Sequence, residues 1–382
     1  MKTFLKMMMG LIIGALIGLV IGGGIAVAFT DTTFSEFIHR FYSIDLSEGV
    51  IVFIVAIGAF IASLAILVPL HELGHLICGL LSGYKFVSFR IFNLTFIKID
   101  GKLRVKRFSV AGTGGQCLLN PPDLPMEEIP TGWYNFGGIL VNLIILVLVA
   151  PLFLLKLNPF VAESLGIFII LDVIMLLMNG IPVRIGGVGN DAYNMRLLKN
   201  NSRSKRGIIN QLRANALIQT GVRPKDMPDD LFACPDDIDY KNSLEITVPL
   251  MNASRLIDLK EYDSALESFE TLYEHKDEIM PIYVKEIECE LVFLYLRTGR
   301  PEKAEKLLTK DLKKYIEVYR KVMSSKERLY AAITLYLEHD APKACGIFKS
   351  LKARKENYLL SGEVAGDLAI MEDMLQLGNN NA

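Results

Sequence analysis

Cysteine is scarce and poorly placed for pairing: the five present (Cys78, Cys117, Cys234, Cys289 and Cys345) are odd in number, widely scattered and never in a Cys-x-x-Cys pair. That excludes a disulfide framework and a thiolate zinc site, and it fits a reducing compartment for most of the chain. An excess of one charge is equally absent. Forty-one Lys and Arg stand against 42 Asp and Glu, a net charge of −1, with no basic cluster suited to phosphate, so nucleic acid is not an expected partner. Only five histidines occur in 382 residues, and two of them stand four positions apart.

Apolar residues are what the chain has in excess, at 51%, above what one soluble domain normally shows. They are concentrated in the first half; from about Asn200 onward the composition is charged and ordinary, which marks the main domain boundary. A membrane helix needs about 20 mainly apolar residues. A first run extends from about Met7 to Phe29 behind Lys2 and Lys6, and is read as a retained helix in preference to a cleaved signal peptide. A second, Gly49 to Leu81, is too long for one upright crossing, so it either tilts beyond the bilayer or kinks at Pro69. A third (about Trp133 to Leu155) and a fourth (about Phe160 to Met178) form a hairpin around Asn158-Pro159.

Lysine and arginine set the orientation. The segment between spans two and three holds Lys85, Arg90, Lys98, Lys102, Arg104, Lys106 and Arg107, whereas Arg40 is the only basic residue between spans one and two. The expectation is a multi-pass protein of the cell membrane with that segment and both termini cytoplasmic.

The sequence His71-Glu72-Leu73-Gly74-His75 falls inside span two. Residues i and i+4 lie about 40° apart around a helix, so both imidazoles reach one cation, and Glu72 addresses the remaining position as a base. Ionisable groups buried in a span are costly, and by default they mark function.

Leu67-Val68-Pro69-Leu70-His71-Glu72-Leu73-Gly74-His75, followed by Gly79 and Gly83, resembles the site-2 protease family of intramembrane zinc metalloproteases. Asn179-Gly180-Ile181-Pro182 followed by Gly189-Asn190-Asp191 is similar to that family's Asn-x-x-Pro and Asp-Gly segment, and Gly137-Gly138 with Asn142 to its Gly-Pro-x-x-Asn segment. The resemblance covers roughly residues 50 to 198. It implies one zinc per chain bound by His71, His75 and Asp191, Glu72 as catalytic base, and Asn179 orienting substrate or stabilising the oxyanion. Two departures stand out: Asn190-Asp191-Ala192 replaces Leu-Asp-Gly, and the gap from Asn179 to Asp191 is several residues longer. Asp172, well inside span four, is the rival third ligand or else a polar contact between helices. Asp191 is preferred because it lies toward the same end of the bundle as the histidines.

Residues Lys85 to Val110 read as strands on either side of Asp100-Gly101, a two-residue hairpin signal. This hairpin either offers an open edge to an extended substrate or merely links two spans. The glycines and prolines between Gly112 and Pro125 read as a flexible approach to span three. Beyond Leu244, three breaks each precede an amphipathic helix whose alanines, Ala265, Ala304 and Ala344, are 39 and 40 residues apart. That period suggests stacked helical hairpins, similar to tetratricopeptide repeats.

The expected fold is therefore mainly α: a polytopic membrane protein with about four transmembrane helices, a small β hairpin and a cytoplasmic helical repeat-like domain. Its parts are an N-terminal helix and outer loop (1–48), a metalloprotease core (49–199) with a β insertion (84–118), a linker (200–243) and the helical domain (244–382). The expected activity is zinc-dependent hydrolysis of a membrane protein or membrane-bound peptide, with a cytoplasmic protein or peptide partner at the helical domain. The alternative is a non-catalytic adaptor with a structural metal.

Overall fold

The computed structural model describes residues 46–99, 101–108, 114–185 and 187–380, together with Thr33, Ser35, Glu36 and His39. The span expected at Met7 to Phe29 lies outside the described residues. By packing, the chain forms two units: the described residues up to Ser63 with Phe153–Phe168, and Leu64–Leu152 with everything from Ile169 onward. In the first unit the helices expose apolar side chains such as Phe53, Ile54 and Phe160, as expected of surfaces that face lipid.

Three helices are long and apolar enough to cross a membrane, over Gly49–Leu81, Gly132–Leu154 and Pro159–Gly180. The first belongs to α1 (Leu46–Leu81), which runs unbroken through Pro69. At 36 residues it is about 54 Å long, well beyond the roughly 30 Å of hydrocarbon. Helix α2 is Gly132–Val149 and α3 is Pro159–Gly180.

Between α1 and α2 lies a four-stranded antiparallel sheet in the order β3-β2-β1-β4, larger than the single hairpin expected. Its strands are β1 (Lys85–Ile91), β2 (Leu94–Ile99), β3 (Lys102–Arg107) and β4 (Gly115–Asn120). Gly101, at φ +77°, turns β2 into β3 as its sequence suggests. The β1–β2 turn instead uses Phe92 at φ +52°, a conformation no bulky residue advertises. Strand β4 arises from the glycine-rich segment read as a flexible approach, and it pairs with β1, Phe89 facing Cys117.

Beyond α3 a short hairpin, β5 (Arg184–Ile185) with β6 (Val188–Gly189), leads into α4 (Asp191–Asn200). The stretch expected as a linker contains α5 (Ser202–Gln219), started by Asn201, whose side chain accepts from Ser204 N–H. Ile209, Leu212 and Ala216 of α5 join Tyr84, Val87 and Leu119 in one apolar cluster, so α5 backs the sheet.

The remaining helices are α6 (Thr247–Asp258), α7 (Tyr262–Glu274), α8 (Pro281–Arg297), α9 (Pro301–Leu307), α10 (Lys310–Tyr319), α11 (Ser324–Tyr336), α12 (Ala341–Ala353) and α13 (Ser361–Asn380). Helix α8 is their centre: Leu291, Val292, Phe293 and Leu294 are all fully buried. Lys260, Gly299 and His339 each adopt positive φ five residues before Ala265, Ala304 and Ala344, and all three alanines are fully buried. The same turn thus recurs at each break, with a small side chain where the paired helices approach closely. Lys106 Nζ donates to the Tyr358 carbonyl at 2.8 Å, tying the sheet to this domain.

Phe293→Ala is expected to destabilise the protein by about 3–5 kcal/mol, since its ring is lost from the centre of the helical core. Denaturant titration followed by far-ultraviolet circular dichroism reads this; a change below about 0.5 kcal/mol would contradict the packing.

Candidate metal centre

The centre lies wholly within the second unit, where α1 meets α2. Gly74 and Gly137 let the two backbones touch: a Cβ on either would collide with the other's carbonyl. Close approach through small residues is the ordinary way apolar helices pack in lipid. Gly138, one position on, faces the imidazoles, and a Cβ there would sit 2.6 Å from His75 Nε2. The glycine pair therefore clears space for the two histidines, which are 7% and 9% exposed.

The outer nitrogen of each ring is fixed. His75 Nδ1 lies 2.8 Å from the Tyr134 carbonyl, which can only accept, so Nδ1 carries the proton. His71 Nδ1 lies 2.6 Å from Asn142 Oδ1, while Asn142 Nδ2 donates to Asp172 Oδ1 at 2.6 Å. The Asp172 carboxylate thus sets the Asn142 amide, and the amide oxygen sets the tautomer of His71. Asn142 and Asp172 are both fully buried. Asp172 is neither part of the histidine cluster nor a bare packing contact; it holds the residue that holds His71.

With both Nδ1 atoms protonated, both Nε2 atoms present lone pairs, and they point at the same place. His71 Nε2 and His75 Nε2 are 3.2 Å apart, and Asp191 Oδ2 is 3.3 Å from each. Asp191 Oδ2 is buried and makes no hydrogen bond. With the imidazoles neutral, these three atoms form a donor set that could hold a metal ion. A tetrahedral ion with ligands at about 2.0 Å would hold them about 3.3 Å apart, the edge lengths observed. Among the described residues this is the one group of three His, Cys, Asp or Glu close enough to share an ion.

Asp191 reaches the histidines because of Asn190. Its Oδ1 accepts from Tyr193 N–H (2.9 Å) and Val183 N–H (3.3 Å), and its Nδ2 donates to the Met178 and Ile181 carbonyls (2.5 and 2.6 Å). One side chain caps α4 and staples it to the end of α3, presenting Asp191 as the first helical residue. The additional residues between Asn179 and Asp191 are taken up by the β5–β6 hairpin. Asn190 was not a sequence candidate, although an Asn directly before a helix-initiating Asp is a capping signal. Asn179, by contrast, donates to the Met175 carbonyl of its own helix at 3.0 Å and, among the described residues, makes no hydrogen bond to the cluster.

Glu72 is half-buried and within electrostatic reach of His75, His71, Asp191 and Arg90. Strand β4 lies against it, so a Cβ on Gly115 would sit 2.7 Å from Glu72 Oε1. The sheet and the HExxH helix thus share one surface at the glutamate.

No protein-family model matches the chain, and searches of curated proteins and of solved structures find no match to it. The reading of this centre rests on its residues and their geometry.

Asp191→Ala is expected to lose stoichiometric zinc, measured by mass spectrometry of the purified protein. Asp172→Asn should keep the metal but lower its affinity roughly 10–100-fold in a chelator titration, as expected for a group that orients a ligand. Zinc retained without Asp191 but lost with Asp172 would reverse the two roles.

Proposed function

We propose that the chain is a zinc metalloprotease that hydrolyses peptide bonds of membrane-spanning or membrane-bound substrates. The observation that carries this reading is the convergence of His71 Nε2, His75 Nε2 and Asp191 Oδ2 at tetrahedral spacing, one residue from Glu72. Bound there, zinc supplies Lewis acidity and lowers the pKa of water toward neutrality.

The chain's own groups divide the remaining work. His71, His75 and Asp191 are the donor set, and three protein donors are what catalytic zinc sites use, whereas structural sites use four. Asn142 and Tyr134 keep both imidazoles in the tautomer that leaves Nε2 unprotonated. Glu72 accepts a proton from the attacking water at its carboxylate and delivers it to the departing amine nitrogen. Helix hides peptide bonds, so the substrate must be extended at the site, and β4 is the edge strand beside Glu72. The Gly115 and Cys117 carbonyls of that edge already accept from Arg90 and from the Tyr134 hydroxyl. A substrate strand pairing there relies on the outward N–H groups, or displaces those side chains. Asn179 as substrate-orienting residue gains no support from its contact within α3.

The basic segment between α1 and α2 supports a cytoplasmic sheet. The contact of that sheet with the helical domain supports placing this domain on the same side. Both termini are then cytoplasmic in a four-span protein of the cell membrane. The recurring turns before Ala265, Ala304 and Ala344 support a tetratricopeptide-like surface for a protein or peptide partner.

Glu72→Gln is expected to retain about one zinc per chain and to lose roughly 10²–10⁴-fold in cleavage of a membrane-spanning reporter in proteoliposomes. Full activity in that variant would overturn the catalytic role. In a cysteine-free background, cysteines at Lys102 and Lys352 should be shielded from an impermeant thiol reagent in intact cells, and one at Ser43 labelled. External labelling at Lys102 would invert the topology.

A further inference from the structure

Between α5, the segment 224–232 and the helical domain lies an open cavity of about 330 Å3, large enough for a side chain and its neighbours. Phe232, Met251 and Phe269 form one wall, and Glu286, Glu290 and Glu363 the other; no Lys, Arg or His lines it among the described residues. The acids are unequally satisfied. Glu286 pairs with Lys326 at 2.7 Å, and Glu290 with Arg328 at 2.5 Å. Arg328 Nε also meets Asp367 at 2.9 Å. Three carboxylates thus share two cations, and a fourth, Glu363, has neither an ion pair nor a hydrogen bond among the described residues. Burial, and after it the charge of Asp367, pushes the Glu363 carboxyl up to about 8, as befits an acid without a counter-ion.

A second, independent feature points to a ligand. Ser325 is 5% exposed, lines this cavity and the smaller acidic one behind it, and its hydroxyl has no partner. A hydroxyl and a carboxylate without protein partners thus open onto one pocket, where a donor could meet both.

The pocket also shares lining residues with a cavity nearer the metal centre. Gln211 and Asn215, one helical turn apart on α5, line both this cavity and a neighbouring one of about 250 Å3. That neighbour is walled by Gln116, Cys117 and Leu118 of β4 and by Tyr134, whose carbonyl holds His75. The side chains of Gln211 and Asn215 make no hydrogen bonds among the described residues, leaving their amides for a passing backbone.

We propose that this acid-lined cavity binds the ammonium or guanidinium group of a Lys or Arg in the substrate's cytoplasmic flank, and so selects substrates with a basic residue beside the membrane segment. The part concerning substrates rests on the proteolytic reading; the binding of a basic peptide does not. The apolar wall fits the methylene stem of such a side chain, and the amide-lined approach fits its backbone, which a free polyamine lacks. A divalent metal is disfavoured because Glu286 and Glu290 are already in ion pairs. Membrane segments carry Lys and Arg preferentially on their cytoplasmic side, so the recognised feature is common among candidate substrates.

The test uses the full chain in detergent and a fluorescent peptide with one Arg among Leu, Ser and Gln, its Arg→Gln counterpart, and spermidine as competitor. The Arg peptide should bind at least about tenfold more tightly than the Gln peptide, the value of one charged hydrogen bond. Glu363→Gln should remove that preference while leaving zinc content unchanged and thermal stability equal or higher. Met251→Trp, which fills the cavity from the opposite wall, should weaken binding without touching an ion pair. Equal affinity for the two peptides, an unchanged preference in both variants, or spermidine binding more tightly than the Arg peptide would overturn the proposal. Glu72→Gln should bind the Arg peptide as the parent does. Glu363-dependent binding in a protein that never cleaves would uphold the cavity and sink the protease reading. Cleavage indifferent to Glu363 and to the basic residue would do the reverse.

Discussion

Two imidazole nitrogens and a carboxylate oxygen, each with an electron pair and no proton to share, face one another across 3.2–3.3 Å where apolar helices meet. In a low-dielectric setting such a trio of bare donors repels itself, and a bound cation of the kind proposed above would relieve that repulsion. Much of the surrounding structure serves to enforce it. The Gly74–Gly137 contact brings α1 and α2 together, Gly138 leaves room for the rings, and Asn190 fixes the start of α4. The Asp172–Asn142 relay and the Tyr134 carbonyl decide which nitrogens are bare. None of these groups touches the convergence point, yet each limits where the three donors can go.

The sheet and the helices beyond α3 are built onto this frame. The sheet between α1 and α2 brings Gly115 against Glu72 at one end and is backed by α5 through Leu119, Ile209 and Leu212. Helix α5 in turn carries Gln211 and Asn215 toward the acid-lined cavity of the helical domain. On the proposed reading, a substrate along β4 would meet the hydrolytic groups on one side and the acid-lined pocket on the other, and the second half of the protein would take part in selecting what the first half cuts.

Sequence revealed those features that depend on spacing within one element. His71, Glu72 and His75 lie on a single helical turn, so their shared face needed no tertiary knowledge, and Asp191 was placed by its order after Asn179 and Pro182. The alanines spaced 39 and 40 residues apart are each fully buried. Features assembled from distant segments stayed hidden. Asp172 looked like a rival ligand because its link to His71 passes through Asn142 on another helix. Asn190 looked like a departure from a family pattern although it is the cap that positions Asp191. The stretch after residue 200 was read as a linker; in the fold it carries α5, whose Gly207 meets the Leu244 carbonyl, where a Cβ would collide. The acid cavity draws Glu286, Glu290 and Glu363 from α8 and α13, and no local pattern joins them.

The account stands most directly on the chemistry at the convergence point, and zinc-edge X-ray absorption of the purified full-length protein reads it without reference to any substrate. The predicted spectrum has a first shell of nitrogen and oxygen alone at about 2.0 Å, with outer-shell scattering from two imidazole rings. A sulfur contribution at about 2.3 Å, a single imidazole, or well-folded protein without bound metal would contradict it.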